Sequence, residues 1–409
     1  MRYTPLNIVL IIFAAAGFIA GYYGVPLLAA GCMFFIFIIL LSRYWNHNAF
    51  SSFDINTGIS KSHAEFDEEI SFNVELINRK FLPLVWLKLE HRVDKNLVFS
   101  AGQLIRENIS RSYNFLQDYL SLKWFERVKR KYMFRVRHRG LYFLGQGSII
   151  FNGILGLHYN IKKISRKKCF IVYPRIVPVQ FSVIEESQLF GSTPHRGWLH
   201  QDRLNRVGTR PYVAADAVRD INWKTSARHN RLETNIYQPS LNKEVHLFLN
   251  NIHSRLERQK LLEKQVLAAA SLAERALRDD YSVGFYSNLI PVKGDERYFI
   301  KIKADDNPGQ RDKIMSSLAL VQNYYILKMN NLMSLNNPAL KSGSAVILIT
   351  DRVTEKLHRI LYEYNKNYNL TVLYIGSQKP GEHKLSGIRE LRVRGEGAWN
   401  EIQNLELVD

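Results

Sequence analysis

Little in this chain of 409 residues offers covalent or metal chemistry. Two cysteines, Cys32 and Cys169, are too few and too far apart for a secreted disulfide scaffold or a cysteine-built zinc site. No G-x-x-x-x-G-K-[ST] loop, strand-linked G-x-G-x-x-G, G-x-S-x-G elbow or H-E-x-x-H pair occurs. His195 and His200 flank Gly197-Trp198 in a polar stretch that reads as a solvated loop, with no acidic or thiol ligand set beside them. The most informative absence is charge. Between Arg2 and Arg43 there is no Asp, Glu, Lys or Arg, although 56 basic against 37 acidic side chains leave +19 overall. An uncharged start is therefore followed by a strongly basic body.

The uncharged stretch, Leu6–Leu41, is apolar for about 36 residues, whereas one pass through a bilayer core takes about 20. Gly21-Tyr22-Tyr23-Gly24-Val25-Pro26 combines turn glycines, interfacial aromatics and a helix-starting proline. The sequence predicts a transmembrane hairpin within residues 1–43, with helices over about 6–22 and 26–41. A cleaved signal peptide is the alternative, but its basic region would be Arg2 alone and no small-residue cleavage site precedes a polar start. Arg2 and Arg43 flank the hairpin and its turn carries no charge, so the expected topology is two helices in the cell membrane with both termini cytoplasmic. Without ionisable groups at depth, the hairpin reads as an anchor and not as a transport path.

Residues 44–178 switch to period-two alternation, as in Ile70–Leu76, Val85–Glu90 and Tyr132–Arg137, with turn residues at Asn78-Arg79-Lys80 and Arg139-Gly140. An all-β, Ig-like sandwich of about seven strands is expected, with Asn114–Arg130 as a loop or short helix. Residues 241–409 alternate strand and helix: strands near Glu244–Leu249, Tyr281–Tyr286, Ala345–Thr350, Leu370–Ile375 and Ile388–Val393, and helices near Leu256–Asp279, Gln310–Met333 and Glu355–Lys366. That order predicts βαβ crossovers, a mainly parallel sheet and helices on both faces.

Residues 179–240 link the two regions and carry a dense motif around Tyr212, Asp216, Arg219, Ile221, Trp223, Ala227, Arg228 and Leu232. From the residues alone, Asp216 caps a short helix and pairs with Arg219, Ile221 and Trp223 are buried, and Arg228 bonds a carboxylate or backbone carbonyls. Two readings follow: a buried ion-pair network that docks the domains, or a binding surface for a partner or anion.

These residues, in order and spacing, resemble the signature of the bacterial domain of unknown function DUF58 family. Arg139-Gly140-x-Tyr142-x-x-Gly145, Leu155-Gly156-Leu157 and Val172-Tyr173-Pro174 look like further landmarks of it. The resemblance covers most of the chain; Ala215 replaces the family's glycine and Asn235 stands where a basic residue is common. It implies a C-terminal α/β domain similar to the von Willebrand factor A fold (Rossmann-type). There the first strand ends in Asp-x-Ser-x-Ser holding Mg²⁺, a hard ion that wants carboxylate and hydroxyl oxygens. Here the matching positions are Asn250, Ile252 and Ser254. Asp351, on the same sheet edge, either contributes a carboxylate or caps the next helix. A degenerate metal site is expected, with no bound metal or cofactor and no catalytic set.

Two basic tracts, Lys123–Lys131 (interleaved with Trp124 and Phe125) and Lys162–Lys168, fit a solvated surface first, anionic lipid second and nucleic acid last. The combined expectation is a membrane-anchored, non-enzymatic adaptor. By resemblance its partner is a MoxR-type AAA+ ATPase, with other envelope or membrane proteins possible and nucleic acid ranked last. An Mg-dependent adhesion-like binding protein and a cell-envelope-associated enzyme are the alternatives.

Overall fold

The uncharged start folds as two helices, α1 (Thr4–Tyr22) and α2 (Pro26–His47). Gly24, at φ +66, turns the chain between them. At Gly17 a Cβ would lie 3.1 Å from the Cβ of Cys32, so the glycine lets the two helices approach closely. The 22-residue helix α2 is long and apolar enough to cross a bilayer; the apolar run of α1, Asn7–Tyr22, is shorter. Phe18, Leu27, Met33 and Phe34 all stay exposed, as on helices whose outer faces are apolar. The second helix runs six residues past the predicted Leu41, because Ser42–His47 continue it onto the next domain. Trp45 donates its indole N–H to the Pro83 carbonyl (3.0 Å), and the Asn160 amide donates to Asn46.

The computed structural model describes residues 4–100, 104–106, 113–153, 159–181, 201–214, 216–239, 243–251, 257–291, 299–325, 327–337, 340–341, 343–376, 387–394 and 402–408. They form two compact units, Met1–Val172 and Tyr173–Asp409.

After the helices, the first unit is all β. Its strands are β1 (Phe53–Ile59), β2 (His63–Ala64), β3 (Glu69–Asn78), β4 (Leu84–Asp94), β5 (Leu97–Phe99), β6 (Leu104–Arg106), β7 (Tyr113–Leu122), β8 (Arg127–Val136), β9 (Gly140–Leu144), β10 (Gly147–Asn152), β11 (Tyr159–Ile164) and β12 (Lys168–Val172). Two antiparallel sheets, β1-β3-β8-β5 and β11-β10-β4-β7-β6, are joined by a small one, β2-β12-β9. Alternate residues such as Phe72, Val74, Leu76, Leu87, Leu89, Phe134 and Phe151 meet in one core. At Gly147 a Cβ would sit 1.9 Å from the Glu90 carbonyl oxygen, so only glycine lets β10 lie against β4 there. The expected loop or short helix at Asn114–Arg130 is instead strand β7, a turn, and the start of β8. The first five residues of β8 have no buried member, so no alternation marked them as strand.

The second unit is built on an eight-stranded sheet. Its strands are β13 (Val179–Phe181), β16 (Glu244–Leu249), β17 (Ser282–Ser287), β19 (Ile300–Asp305), β21 (Ala345–Thr350), β22 (Asn369–Tyr374), β23 (Arg389–Arg394) and β24 (Leu405–Val408). The order is β13-β24-β23-β22-β21-β16-β17-β19; β16, β17, β21, β22 and β23 are parallel, and β19 is antiparallel to β17. The pairs β14 (Gln201–Pro211) with β15 (Glu233–Pro239), and β18 (Leu289–Pro291) with β20 (Val321–Tyr325), stand outside it. Helix α3 (Trp223–His229) lies between β14 and β15 in sequence; α4 (Glu257–Arg278), α5 (Gln310–Leu320), α6 (Met329–Asn336) and α7 (Glu355–Asn367) follow. Phe248, Tyr286, Val346 and Leu348 pack with α6 and α7 on one face. The alternate residues Leu247, Leu249, Phe285, Ile347 and Ile349 are buried as well, with α4 packed on the same strands. The helix expected over Gln310–Met333 breaks at Val321, where Val-Gln-Asn-Tyr-Tyr turns extended and pairs with β18; β-branched and aromatic residues favour that change.

Candidate functional site

Two places in the second unit gather the residues that the sequence singles out. The first is the sheet edge where strand order reverses. From β16 the chain moves outward to β17 and β19, then returns to β21 on the other side and continues to β22 and β23. Open α/β sheets bind ligands at such a point, outside the carboxyl ends of the strands. Asn250 follows β16, Asn288 follows β17, and Thr350 ends β21.

All three are buried and bonded to one another. The Asn250 amide donates to the Thr350 hydroxyl (3.0 Å), and its oxygen accepts from the Asn288 amide (3.2 Å). The Thr350 hydroxyl in turn donates to the Arg352 carbonyl (2.8 Å), and the Asn250 backbone N–H reaches the Ile349 carbonyl (2.9 Å). Asn250 thus spends both ends of its side chain on neutral partners. Asp351 is buried with its Cβ against Gly376 and a carboxylate oxygen 3.9 Å from Arg352. It does not cap α7, whose N-cap is Thr354. Ile252 and Ser254 lie outside the described residues. A hard divalent ion wants anionic oxygen free to face it. Of these residues only Asp351 is anionic; the neutral Thr350–Asn250–Asn288 chain offers no such oxygen, so these three side chains alone do not fit Mg²⁺. Beside them opens a cavity of about 370 Å³, lined by Asn250, Asn288, Tyr325, Lys328, Asn330 and Glu355 among others. Asn288, Thr350 and the α6 and α7 residues were not legible as site residues; asparagines directly after two neighbouring strands were the available signal.

The second place is the loop between β14 and β15, which holds the signature residues. Asp216 neither caps a helix nor meets Arg219. It accepts from the Arg210 guanidinium (2.5 Å) and the Val213 N–H (3.0 Å), which together hold its carboxyl below the ordinary range. Asn222 caps α3, accepting from the Thr225 N–H (3.1 Å), and Asn230 ends it in the left-handed region at φ +52. Asn235 braces the preceding turn. It accepts from the Asn222 amide (2.9 Å) and donates to the Asp220 carbonyl (3.1 Å). Buried Glu233 takes the Arg231 guanidinium (2.9 Å), and its backbone N–H donates to Ser226 (2.9 Å).

On this braced frame Ile221 is buried as expected, but Trp223 is not: it is 65% exposed at the first position of α3. A seven-residue helix cannot cover an indole at its own N-terminus. Val213, Val218 and Leu232 are exposed on the same loop. Arg219 and Arg228 are exposed and make no hydrogen bond or ion pair among the described residues. Tyr212 is half-buried, its N–H on the Leu232 carbonyl (2.9 Å).

No family model matches the chain. It is similar to the uncharacterized protein YeaD of Bacillus subtilis, 22% identical over 298 residues, covering 70% of this chain and 69% of that protein. Among solved structures, a cohesin module from a Clostridium perfringens family 33 glycoside hydrolase gives TM-score 0.22 at 7% identity, over 30% of this chain and 96% of the other. Spo0M, a sporulation control protein from Bacillus subtilis, gives 0.17 at 8% identity, over 30% and 49%. At such scores neither likeness bears on fold or function.

Proposed function

We propose that the chain is a membrane-anchored adaptor of the DUF58 type that captures a protein partner through the α3 loop. The observation that carries this is Trp223, an exposed indole on a rigidly braced loop, with Arg219 and Arg228, unpaired among the described residues, nearby in sequence. Trp and Arg dominate the energetics of protein interfaces, and an indole left in water on an ordered frame is primed for burial by a partner. Two exposed guanidinium groups favour an acidic partner surface.

The C-terminal unit reads as a degenerate von Willebrand factor A-like domain. The order β19-β17-β16-β21-β22-β23 follows the doubly wound 3-2-1-4-5-6 pattern with its third strand reversed, which supports that reading. Both α1 and α2 span the bilayer as a hairpin, with both termini in the cytoplasm, where Arg2 and Arg43 favour them. A cytoplasmic body can reach a MoxR-type AAA+ ATPase, the partner that the family resemblance implies.

The test is co-purification. Tagged full-length protein, crosslinked in membranes with ATP and then solubilised in detergent, brings down an AAA+ ATPase of this type, identified by mass spectrometry. Trp223→Ser with Arg228→Ser lowers the yield at least tenfold. Recovery of the same ATPase with the double variant would remove the patch from the proposal, and no ATPase at all would remove the partner.

A further inference from the structure

We infer that the tip of the sandwich beside α2 lies in the interfacial layer of the bilayer that α2 crosses, so the protein meets the membrane through its β domain as well as its helices. The inference rests on the anchor reading. Its basis is one structural coincidence: four large exposed aromatics stand where the membrane helix docks.

The tip consists of the β3–β4 loop, the first residues of β4 and the β7–β8 turn. Phe81, Trp86, Trp124 and Phe125 are each more than half exposed there, and Val85 beside them is exposed too. Phe81 and Trp124 stack with ring centres 5.3 Å apart and planes 3° from parallel. Leaving such rings in water is unfavourable, whereas amphipathic aromatics are enriched at the headgroup level of membranes. Phe125 holds φ +50, a conformation that asparagine or glycine adopts more cheaply. The turn alone does not call for a phenylalanine.

The tip is tied to itself and to the end of α2. Phe125 N–H donates to the Lys80 carbonyl (3.1 Å), and the Asn78 amide donates to the Leu82 and Lys123 carbonyls (3.0 and 2.8 Å). Trp45 of α2 donates to the Pro83 carbonyl (3.0 Å), and the Lys80 ammonium bonds the Asn48 and Ala49 carbonyls just past the helix. The tip therefore cannot leave α2 without breaking several bonds.

Its depth follows from spacing. Trp45 is four residues beyond Leu41, the last residue of the apolar run, or about 6 Å along a helix axis. A hydrocarbon core of about 30 Å within a total of about 40–45 Å leaves roughly 5–7 Å of interface on each side. Trp45, and the loop bonded to it, fall in that layer. Lys123 is exposed and makes no hydrogen bond or ion pair through its side chain among the described residues, which suits anionic headgroups.

The experiment places single spin labels on full-length protein in a Cys32→Ala, Cys169→Ser background. The protein is reconstituted in vesicles of phosphatidylethanolamine and phosphatidylglycerol, and collision with oxygen is compared with collision with a water-soluble nickel chelate. Labels go in turn at Phe81→Cys, Trp124→Cys, Met33→Cys in the middle of α2, and Val98→Cys. Val98 is an exposed apolar residue opposite Arg135, eight residues along β8 from the tip and roughly 27 Å away. The expected oxygen-to-nickel ratios at Phe81 and Trp124 are several-fold above that at Val98 and below that at Met33, and both positions must show this. If Met33 reads as lipid while either tip label matches Val98, the inference is wrong and the anchor stands. If Met33 itself matches Val98, the anchor reading falls and takes the inference with it. Tip labels shielded from both reagents mean that protein covers the tip, which also overturns the inference.

Discussion

The two places in the α/β unit that its sequence marks for chemistry end in opposite conditions. At the reversal point of the sheet, the polar groups of Asn250, Asn288 and Thr350 are buried and bonded to one another. On the α3 loop the bonding is done beneath the surface by Asn222, Asn235 and Glu233, while Trp223, Arg219 and Arg228 face solvent. Fold analogy draws the eye to the first, yet the side-chain polar atoms of Asn250 and Thr350 are already engaged, and of these three residues only the Asn288 Oδ1 has no partner among the described residues. What a site offers a ligand is the bonding left over after the fold has taken its share, and by that measure the loop is the stronger candidate.

Asn250 gives the largest expected effect. Asn250→Ala strips the buried Asn288 amide of its acceptor, which costs about 1–3 kcal/mol, and takes one donor from the Thr350 hydroxyl, which keeps its bonds to Arg352. A loss of about 3 kcal/mol should appear in urea unfolding followed by a probe in the α/β unit. Asn250→Asp keeps the shape and the bond from Asn288, but cannot donate to Thr350 and brings a buried charge; about 2–4 kcal/mol is expected. The same titration with Mg²⁺ sharpens the comparison. Recovery of stability in the Asp variant would show that the edge needs only a carboxylate to hold the ion, and no recovery is expected.

Glu233 comes next. Its carboxylate is buried under the loop and paired with Arg231, whose side chain is largely exposed, so Glu233→Ala should cost about 1–2 kcal/mol, less than a fully buried pair. Far-UV thermal unfolding measures it. A value near zero would mean that the loop is not braced from below, and the rigid frame proposed for Trp223 would go with it.

Asp216 has a smaller effect, and its sign is set by its partners. Because Arg210 and the Val213 N–H hold its carboxyl below the ordinary value of 3.8, the folded loop binds that proton less readily than the unfolded chain. The contribution is present above that value and is lost as pH falls through the lowered one. Hydrogen exchange at the Val213 amide should quicken in that acid window in the native protein and be fast throughout in Asp216→Ala, which has no acceptor. Equal protection in both would show that the contact does not hold the turn.

Much of this was legible in the chain, for identifiable reasons. The uncharged run, the Gly-Tyr-Tyr-Gly-Val-Pro break and the largely apolar strands β16 and β21 carry signals that need no tertiary context. Asn250 could be read as standing in place of a carboxylate only through the family resemblance, which aligns it with the residue that ends the first strand. The partners Asn288 and Thr350 could not, because the reversal of strand order that brings three strand ends together is a property of topology. Trp223 was read as buried because an indole beside Ile221 usually is; a helix of seven residues flanked by exposed loops has no layer to bury it in. The strand at Arg127–Lys131 escaped for the converse reason, since only Val128 packs against the core and none of the five is buried, so no alternation appears.

The smallest expected effect on stability carries the most weight for function. Trp223→Ser and Arg228→Ser remove groups that touch little in the folded chain, so each should change unfolding free energy by less than about 0.5 kcal/mol, the ordinary range for surface substitutions away from special features. Together they should still abolish capture of the partner, because an indole and a guanidinium are the side chains on which interface energy concentrates. That pairing of outcomes separates a docking surface from a structural one. If Trp223→Ser alone lowers stability by 2 kcal/mol or more, about what full burial of a large apolar side chain contributes, the ring is covered in the native protein and the loop is part of a core. A fluorescence titration of the wild type with iodide decides the same point independently. The Trp223 share of the emission, taken as the difference from Trp223→Phe, should be quenched nearly as readily as free indole if the ring stands in water waiting for a partner.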